Sequence, residues 1–268
     1  MEVALYHPQY GYYRKDRDPF GKGGDFYTAV QLQPSFGKLI RTILEKLSPL
    51  RTLIDIGAGR GEMGEQFQGW NYIAVDVGDR HPPQQPGIIF ANELFDALPC
   101  RVYDTNGKEV LVDYREDRFA WTSKPVKEEC PSLPRILQRM SEIISSGYLL
   151  LIDYGYEERE RALRFPDGTL MAYRRHAAHD DVLLSPGDQD ITTHVNFTSV
   201  IESSESAGFH LMKKCTLASF LMEAGEDTFQ EIIRSHPQQL KSLLFGMGET
   251  FQVCLFERIP AGTPLNIE

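Results

Sequence analysis

Apolar residues in this chain come in short runs, each closed by glycine, proline or an acid, and the period of the runs changes along the sequence. Phe36 to Leu47 (FGKLIRTILEKL) places apolar residues at helical spacing and predicts an amphipathic helix. Continuous apolar runs predict buried strands at 51–56, 72–77, Ile88–Ala91 and Gly147–Asp153, with a helix starting near Gly61 and a Pro-rich loop over 79–86. Between 101 and 124, alternating segments flank Asn106-Gly107, a hairpin signal. Pro134 to Ser146 reads as a helix with proline in its first turn, and Phe197 to Ala207 as another that stops at Gly208. Strands are expected near 209–215 and 250–258, separated by helical stretches, while Met1 to about Gln33 reads as an ordered loop region. Short apolar strands alternating with helices predict an α/β fold with a mostly parallel sheet and helices on both faces. Such sheets bind ligands beyond the carboxyl ends of their strands.

Composition narrows this picture. With 268 residues, 41% hydrophobic and 25% charged, the chain has the make-up of a soluble globular protein. We expect one domain over 1–268, with 1–50 as an N-terminal loop/helix cap and 101–130 as an inserted hairpin. A net charge of −10 with no Lys/Arg block argues against nucleic-acid binding. The four cysteines, Cys100, Cys130, Cys215 and Cys254, form no C-x-x-C pair, which argues against a zinc site or a disulfide framework. No apolar run is long enough for membrane insertion and no signal peptide precedes Tyr6, so the expected location is cytoplasmic. Oligomeric state is not readable from these features.

The chemistry concentrates at Leu53-Ile-Asp-Ile-Gly-Ala-Gly-Arg-Gly-Glu-Met63. Gly57, Gly59 and Gly61 let the backbone turn sharply after a buried strand and approach a ligand closely. Asp55 suits a cationic amine, and Asp76, at the end of the next strand, suits a pair of ribose hydroxyls. A dinucleotide site needs G-x-G-x-x-G with a phosphate at the helix N-terminus, but the third position here is Glu62, which repels pyrophosphate. The expected ligand is S-adenosyl-L-methionine (SAM), with a ligand-free Gly-rich turn and a nicotinamide oxidoreductase as alternatives. Asn92-Glu93 and Asp153-Tyr154 also follow buried runs, so polar groups are expected along one sheet edge.

The motifs resemble those of the MidA family. They are Gly11-Tyr-Tyr13, Gly24-Asp-Phe-Tyr-Thr28, Asp55-Ile-Gly-Ala-Gly-Arg-Gly61, Ala91-Asn-Glu-Leu-Phe-Asp-Ala-Leu-Pro99, Ile152-Asp-Tyr-Gly155, Gly168-Thr-Leu170, Tyr173-Arg-Arg-His176, Pro186-Gly-Asp-Gln-Asp-Ile-Thr192, His194-Val-Asn-Phe197 and Gly246-Met-Gly-Glu249. The resemblance implies a Rossmann-like class I SAM-dependent methyltransferase. Mitochondrial members of the family are regarded as protein arginine methyltransferases that act on a respiratory complex I subunit and assist complex I assembly. A protein arginine is therefore the favoured acceptor; the alternatives are a SAM-binding assembly factor and a small-molecule methyltransferase. The stretch from Asp76 to Ile88 is too short for a further strand and helix, so no adenine-binding residue is assigned. Leu217 stands where the family often has Gln.

An arginine acceptor is protonated, with a pKa above ~12, and must be oriented and relieved of a proton. Paired carboxylates do this by binding the guanidinium bidentately. Glu93 is assigned to orient the acceptor and Asp96 to assist; a helix N-terminal acid and a turn cap before Pro99 are their structural alternatives. Asn92 is expected to hold acceptor or SAM, or else to form a turn. His194 resembles the His-bearing loop of arginine methyltransferases and is a candidate proton relay oriented by Asp190, against a backbone-bonded structural histidine. Asp25 and Thr28 are candidates for a lid over SAM, against a rigid turn. His176 and His179 have metal-like spacing but no third ligand, and no metal is expected.

Overall fold

β1 (Thr52–Ile56) is the branch point of a sheet. In the computed structural model, which describes residues 1–15 and 29–260, β1 pairs in parallel with β2 (Asn71–Val75) on one side and with β3 (Gln85–Asn92) on the other. Asp25 and Thr28 lie outside the described residues. β4 (Ile144–Tyr156) runs parallel to β3 and, at Gly155 and Tyr156, to the short strand Val195–Asn196, while β5 (His210–Thr216) and β6 (Phe251–Arg258) complete a seven-stranded sheet whose main path is β5-β6-β4-β3-β1-β2. The last two pairings, β6 on β4 and β5 on β6, are antiparallel. The expected mostly parallel α/β sheet is thus present. Leaving β1 the chain goes to one neighbour, and leaving β2 it returns to the other, which makes the carboxyl ends of β1 and β3 the switch point at which such sheets bind ligands.

The chain divides into two compact units, each described separately: 29–94, 134–154 and 200–268 in one, 1–28, 95–133 and 155–199 in the other. In the sheet unit, helix Ser35–Leu47 buries Phe36, Leu39, Ile40, Ile43 and Leu44, the i, i+3, i+4 stripe that its sequence predicts. These residues join Leu53, Ile88, Phe90, Leu150 and Ile152 from the strands and Phe220, Phe229 and Ile232 from the C-terminal helices in one core. Strands buried on both faces read as continuous apolar runs, which is why β3 and β4 were visible in the sequence.

Several boundaries differ from expectation. The helix expected to reach Ser146 is Leu133–Ile143, and β4 begins at Ile144. Gly147 permits this, since a Cβ there would lie 1.9 Å from the Gly87 carbonyl oxygen on β3. β4 also continues to Tyr156, so Asp153, paired opposite Gln252, is inside the strand and not at its end. After Gly61 the helix is a six-residue 3-10 segment, Glu62–Phe67. The short passage from β2 to β3 contains neither strand nor helix and leaves β2 at the sheet edge.

The second unit contains antiparallel sheets. Met171–Arg174 lies between Ala177–His179 and Asp190–Thr192, and Arg101–Tyr103 lies between Glu109–Val110 and Lys127–Glu129. The predicted turn at Asn106-Gly107 is stabilised by the Asp104 carboxylate, which accepts from the Asn106 and Lys108 N–H groups. A further hairpin, Val112–Arg115 with Arg118–Trp121, turns at Glu116-Asp117, both with positive φ. No glycine or asparagine marks that turn. The N-terminal region expected to be loop carries helix Glu2–Tyr6, because Leu5 and Tyr12 are buried with Ala172, Val182 and Ile191.

Candidate functional site

The carboxyl ends of β1, β2 and β3 hold the strand-end residues Asp55, Gly57, Gly59, Gly61, Asp76, Asn92 and Glu93. Gly57 turns the chain off β1: its N–H donates to the Val75 carbonyl at 2.8 Å, its φ is +77°, and a Cβ would meet Leu94 Cδ1 at 2.9 Å. Gly59 and Gly61 also have positive φ, leaving a bare, left-handed backbone at the loop. Asp76 is held across this loop. Its Oδ2 accepts from the Gly59 N–H at 2.8 Å, its Oδ1 from the Val77 N–H at 2.6 Å, and its own N–H donates to Asp79.

At the end of β3, Asn92 Nδ2 donates to Glu93 Oε1 at 2.9 Å, and the same oxygen accepts from the Ala29 N–H at 2.8 Å. Among the described residues Asn92 Oδ1 is buried without a hydrogen-bond partner, a state that costs free energy until a donor arrives. Glu93 has a φ of +50° and donates its N–H to the Ile152 carbonyl. A left-handed non-glycine residue is a strained conformation of the kind that clusters at functional sites. The turns at 93–98 are not helical, so the helix N-terminal alternative for Glu93 falls.

Asp55 is 4% exposed, and its Oδ2 accepts a 2.5 Å hydrogen bond from the Tyr72 hydroxyl. Burial raises its carboxyl to about 7, partly opposed by the Tyr72 hydrogen bond and reinforced by the Asp76 and Glu62 charges. Because the folded value lies above the unfolded one, near 3.9, neutral Asp55 contributes stability that is complete below about pH 4 and is lost as pH rises through about 7. Asp55→Asn is therefore expected to flatten the fall in thermal stability between pH 4 and pH 7. An unchanged pH profile would show that another group sets it.

These residues fit SAM. Asp55 offers a charge partner for an ammonium, Asp76 offers two carboxylate oxygens for vicinal hydroxyls, and Asn92 Oδ1 offers an unused buried acceptor. The carboxylates of Asp55, Asp76 and Glu62 oppose a pyrophosphate.

Asp96, Asp190 and His194 lie in the second unit. The Asp96 carbonyl accepts from the Thr193 N–H at 2.9 Å, which places Asp96 beside His194, and its side chain is buried. The His194 N–H donates to Thr169 Oγ1, which in turn donates to the buried Glu128 carboxylate. Burial and the Arg164 charge lower the His194 imidazole to about 4, so it is neutral near pH 7. Asp190, expected to orient His194, accepts from the Tyr13 hydroxyl at 2.8 Å. Burial raises the Tyr13 phenol well above its usual value, and Asp190, Tyr6 and Asp96 add to the shift. Tyr72 was not anticipated from sequence; an aromatic residue two positions before the β2 partner of Asp55 was the available signal.

A family model for S-adenosyl-L-methionine-dependent methyltransferases matches residues 68–214. The chain is 26% identical to "Protein arginine methyltransferase NDUFAF7, mitochondrial" of Danio rerio, covering 94% of this chain and 81% of the relative. The Drosophila melanogaster homologue is 25% identical over 78% of this chain, and the Mus musculus protein 23% over 74%. The chain spans 66% and 63% of those two relatives. A superfamily member from Burkholderia thailandensis, solved with S-adenosyl-homocysteine bound, superposes with a TM-score of 0.86 at 25% identity over 96% of this chain and 86% of that one. All three curated relatives carry mitochondrial names, which overturns the cytoplasmic expectation; that expectation rested on the lack of a sorting signal. Among the described residues, no helix is long and apolar enough to cross a membrane.

Proposed function

The chain belongs to the MidA family of S-adenosyl-L-methionine-dependent methyltransferases, and from that footing we propose that its acceptor is the guanidinium of a protein arginine. The observation that carries the proposal is Glu93, a left-handed carboxylate braced by two N–H donors at the carboxyl end of β3. The names of the arginine methyltransferase relatives support the same acceptor.

When bound, SAM supplies a methyl group on a cationic sulfur. In this reading Asp55 accepts the ammonium of the ligand's methionine portion, Asp76 its ribose hydroxyls, and Asn92 Oδ1 a donor from ligand or acceptor. Glu93 receives guanidinium N–H groups, draws positive charge away from the attacking nitrogen, and accepts the proton released on substitution. Two N–H donors on Oε1 restrict rotation of the carboxylate, and such positioning can supply several kcal/mol, up to ~7–11. Asp96 and His194 are assigned no step.

The test is incubation with methyl-labelled SAM and candidate acceptor proteins, starting with respiratory complex I subunits, followed by mass spectrometry. Methylated arginine is the expected product. Label on another residue type, or on a small molecule alone, would overturn the acceptor assignment. Parallel titration with SAM, S-adenosylhomocysteine and NAD is expected to show binding of the first two only.

A further inference from the structure

We propose that Tyr72 is the positioning residue of the SAM site: its hydroxyl fixes one oxygen of Asp55 and so sets how that carboxylate receives the ligand's ammonium. This rests on the cofactor reading above and extends it to a residue outside the glycine motif. The register explains how the pair forms. β1 and β2 are parallel, with Leu53 opposite Tyr72 and Asp55 opposite Ala74, so Tyr72 and Asp55 are diagonal neighbours on one face. A diagonal gap of that kind is within reach of an aromatic side chain, and the tyrosine hydroxyl spans it to give the 2.5 Å bond.

The glycines after β1 make room for the ring. A Cβ on Gly64 would lie 2.9 Å from Tyr72 Cε1 and 3.0 Å from Cδ1, and a Cβ on Gly61 would lie 3.9 Å from the hydroxyl. Gly61 also needs its left-handed φ of +72°, whereas no such demand falls on Gly64. Its lack of a side chain is explained by Tyr72 alone. The loop that approaches the ligand and the tyrosine that holds Asp55 are therefore packed as one piece.

The groups acting on Asp55 are Tyr72 from β2, Asp76 after β2, and Glu62 in the 3-10 segment, with Arg60 3.5 Å from Glu62. Among the described residues acting on it, Tyr72 favours the ionised form, whereas burial, Asp76 and Glu62 oppose it. An ammonium ligand needs that ionised form, so binding near neutral pH drives the Asp55 proton into the buffer. Tyr72→Phe keeps the ring against Gly64 and removes only the hydroxyl, which makes ionisation harder.

The experiment is calorimetric titration of S-adenosylhomocysteine from pH 6 to 8 in buffers of different ionisation enthalpy, for wild type, Tyr72→Phe and Asp55→Asn. In wild type, affinity is expected to rise about tenfold across this range with net proton release. Loss of a hydrogen bond to the carboxylate is expected to shift the Tyr72→Phe midpoint up by about one pH unit, so that its deficit is roughly tenfold at pH 6 and about twofold at pH 8. Asp55→Asn is expected to bind without a pH dependence in this range. A Tyr72→Phe deficit that is equal at every pH, or no deficit, would overturn the proposal. Should Tyr72→Phe fail to fold, Gly64→Ala presses on the ring without touching Asp55 and is expected to move the profile in the same direction; an unmoved profile counts against the proposal. Failure of wild type to bind either SAM or S-adenosylhomocysteine at any pH overturns the cofactor reading and this inference together, whereas binding with an unaltered Tyr72→Phe profile overturns this inference alone.

Discussion

Asp76→Ala is expected to weaken SAM binding by about a hundredfold, the loss of two hydrogen bonds to a charged acceptor partly offset by solvent. Both carboxylate oxygens lie at the carboxyl end of β2, on the backbone of Gly59 and Val77. The substitution acts twice. It removes the acceptor proposed for the ribose hydroxyls, and it releases the Gly59 N–H that Asp76 holds in the glycine loop. Asp76→Asn retains one oxygen and is expected to fall between alanine and wild type. Calorimetric titration checks the order, and wild-type affinity in the alanine variant would move the ribose contact to another residue. Folding should be little affected, because Asp76 is exposed at the rim of an edge strand.

Glu93→Gln is expected to leave SAM affinity within a few-fold of wild type while reducing turnover by about 10²–10⁴, the usual range for a lost general base. Glutamine can still accept from the Ala29 N–H through its amide oxygen, so the local fold has no reason to change. It cannot take a proton, and its neutral amide cannot compensate a guanidinium. Backbone conformation offers a second handle. Since φ at position 93 is +50°, Glu93→Gly relieves backbone strain even as it removes the carboxylate. The glycine variant is therefore expected to be inactive without a matching loss of thermal stability, which separates a chemical role from a structural one. Single-turnover kinetics with labelled SAM provide the readout. Normal transfer by Glu93→Gln would place the acceptor carboxylate elsewhere.

The parts of the fold visible in the sequence were those governed by one local rule. β3 and β4 are covered on both faces, so their apolar runs are unbroken, and helix Ser35–Leu47 carries a complete apolar stripe. The hairpin at Asn106-Gly107 was marked by its turn residues. Elements decided by packing were missed. Helix Glu2–Tyr6 is short and weakly patterned, and it exists because Leu5 is buried against a distant strand. The turn at Glu116-Asp117 uses left-handed residues that carry no glycine signal.

The candidate site divides along the same line. Asp55, the three glycines and Asp76 could be named from sequence, because a tight turn after a buried strand demands specific residue types at fixed spacing. Sequence alone thus determined the α/β class, the glycine loop and the cofactor type. It could not anticipate that Asp190 accepts from Tyr13 or that the Tyr72 hydroxyl holds Asp55. Nor could it show that Glu93 is left-handed and braced from residue 29. These were decided by tertiary structure: strand register and long-range hydrogen bonds bring together residues far apart in the chain, and no local periodicity records which partner a buried carboxylate finds.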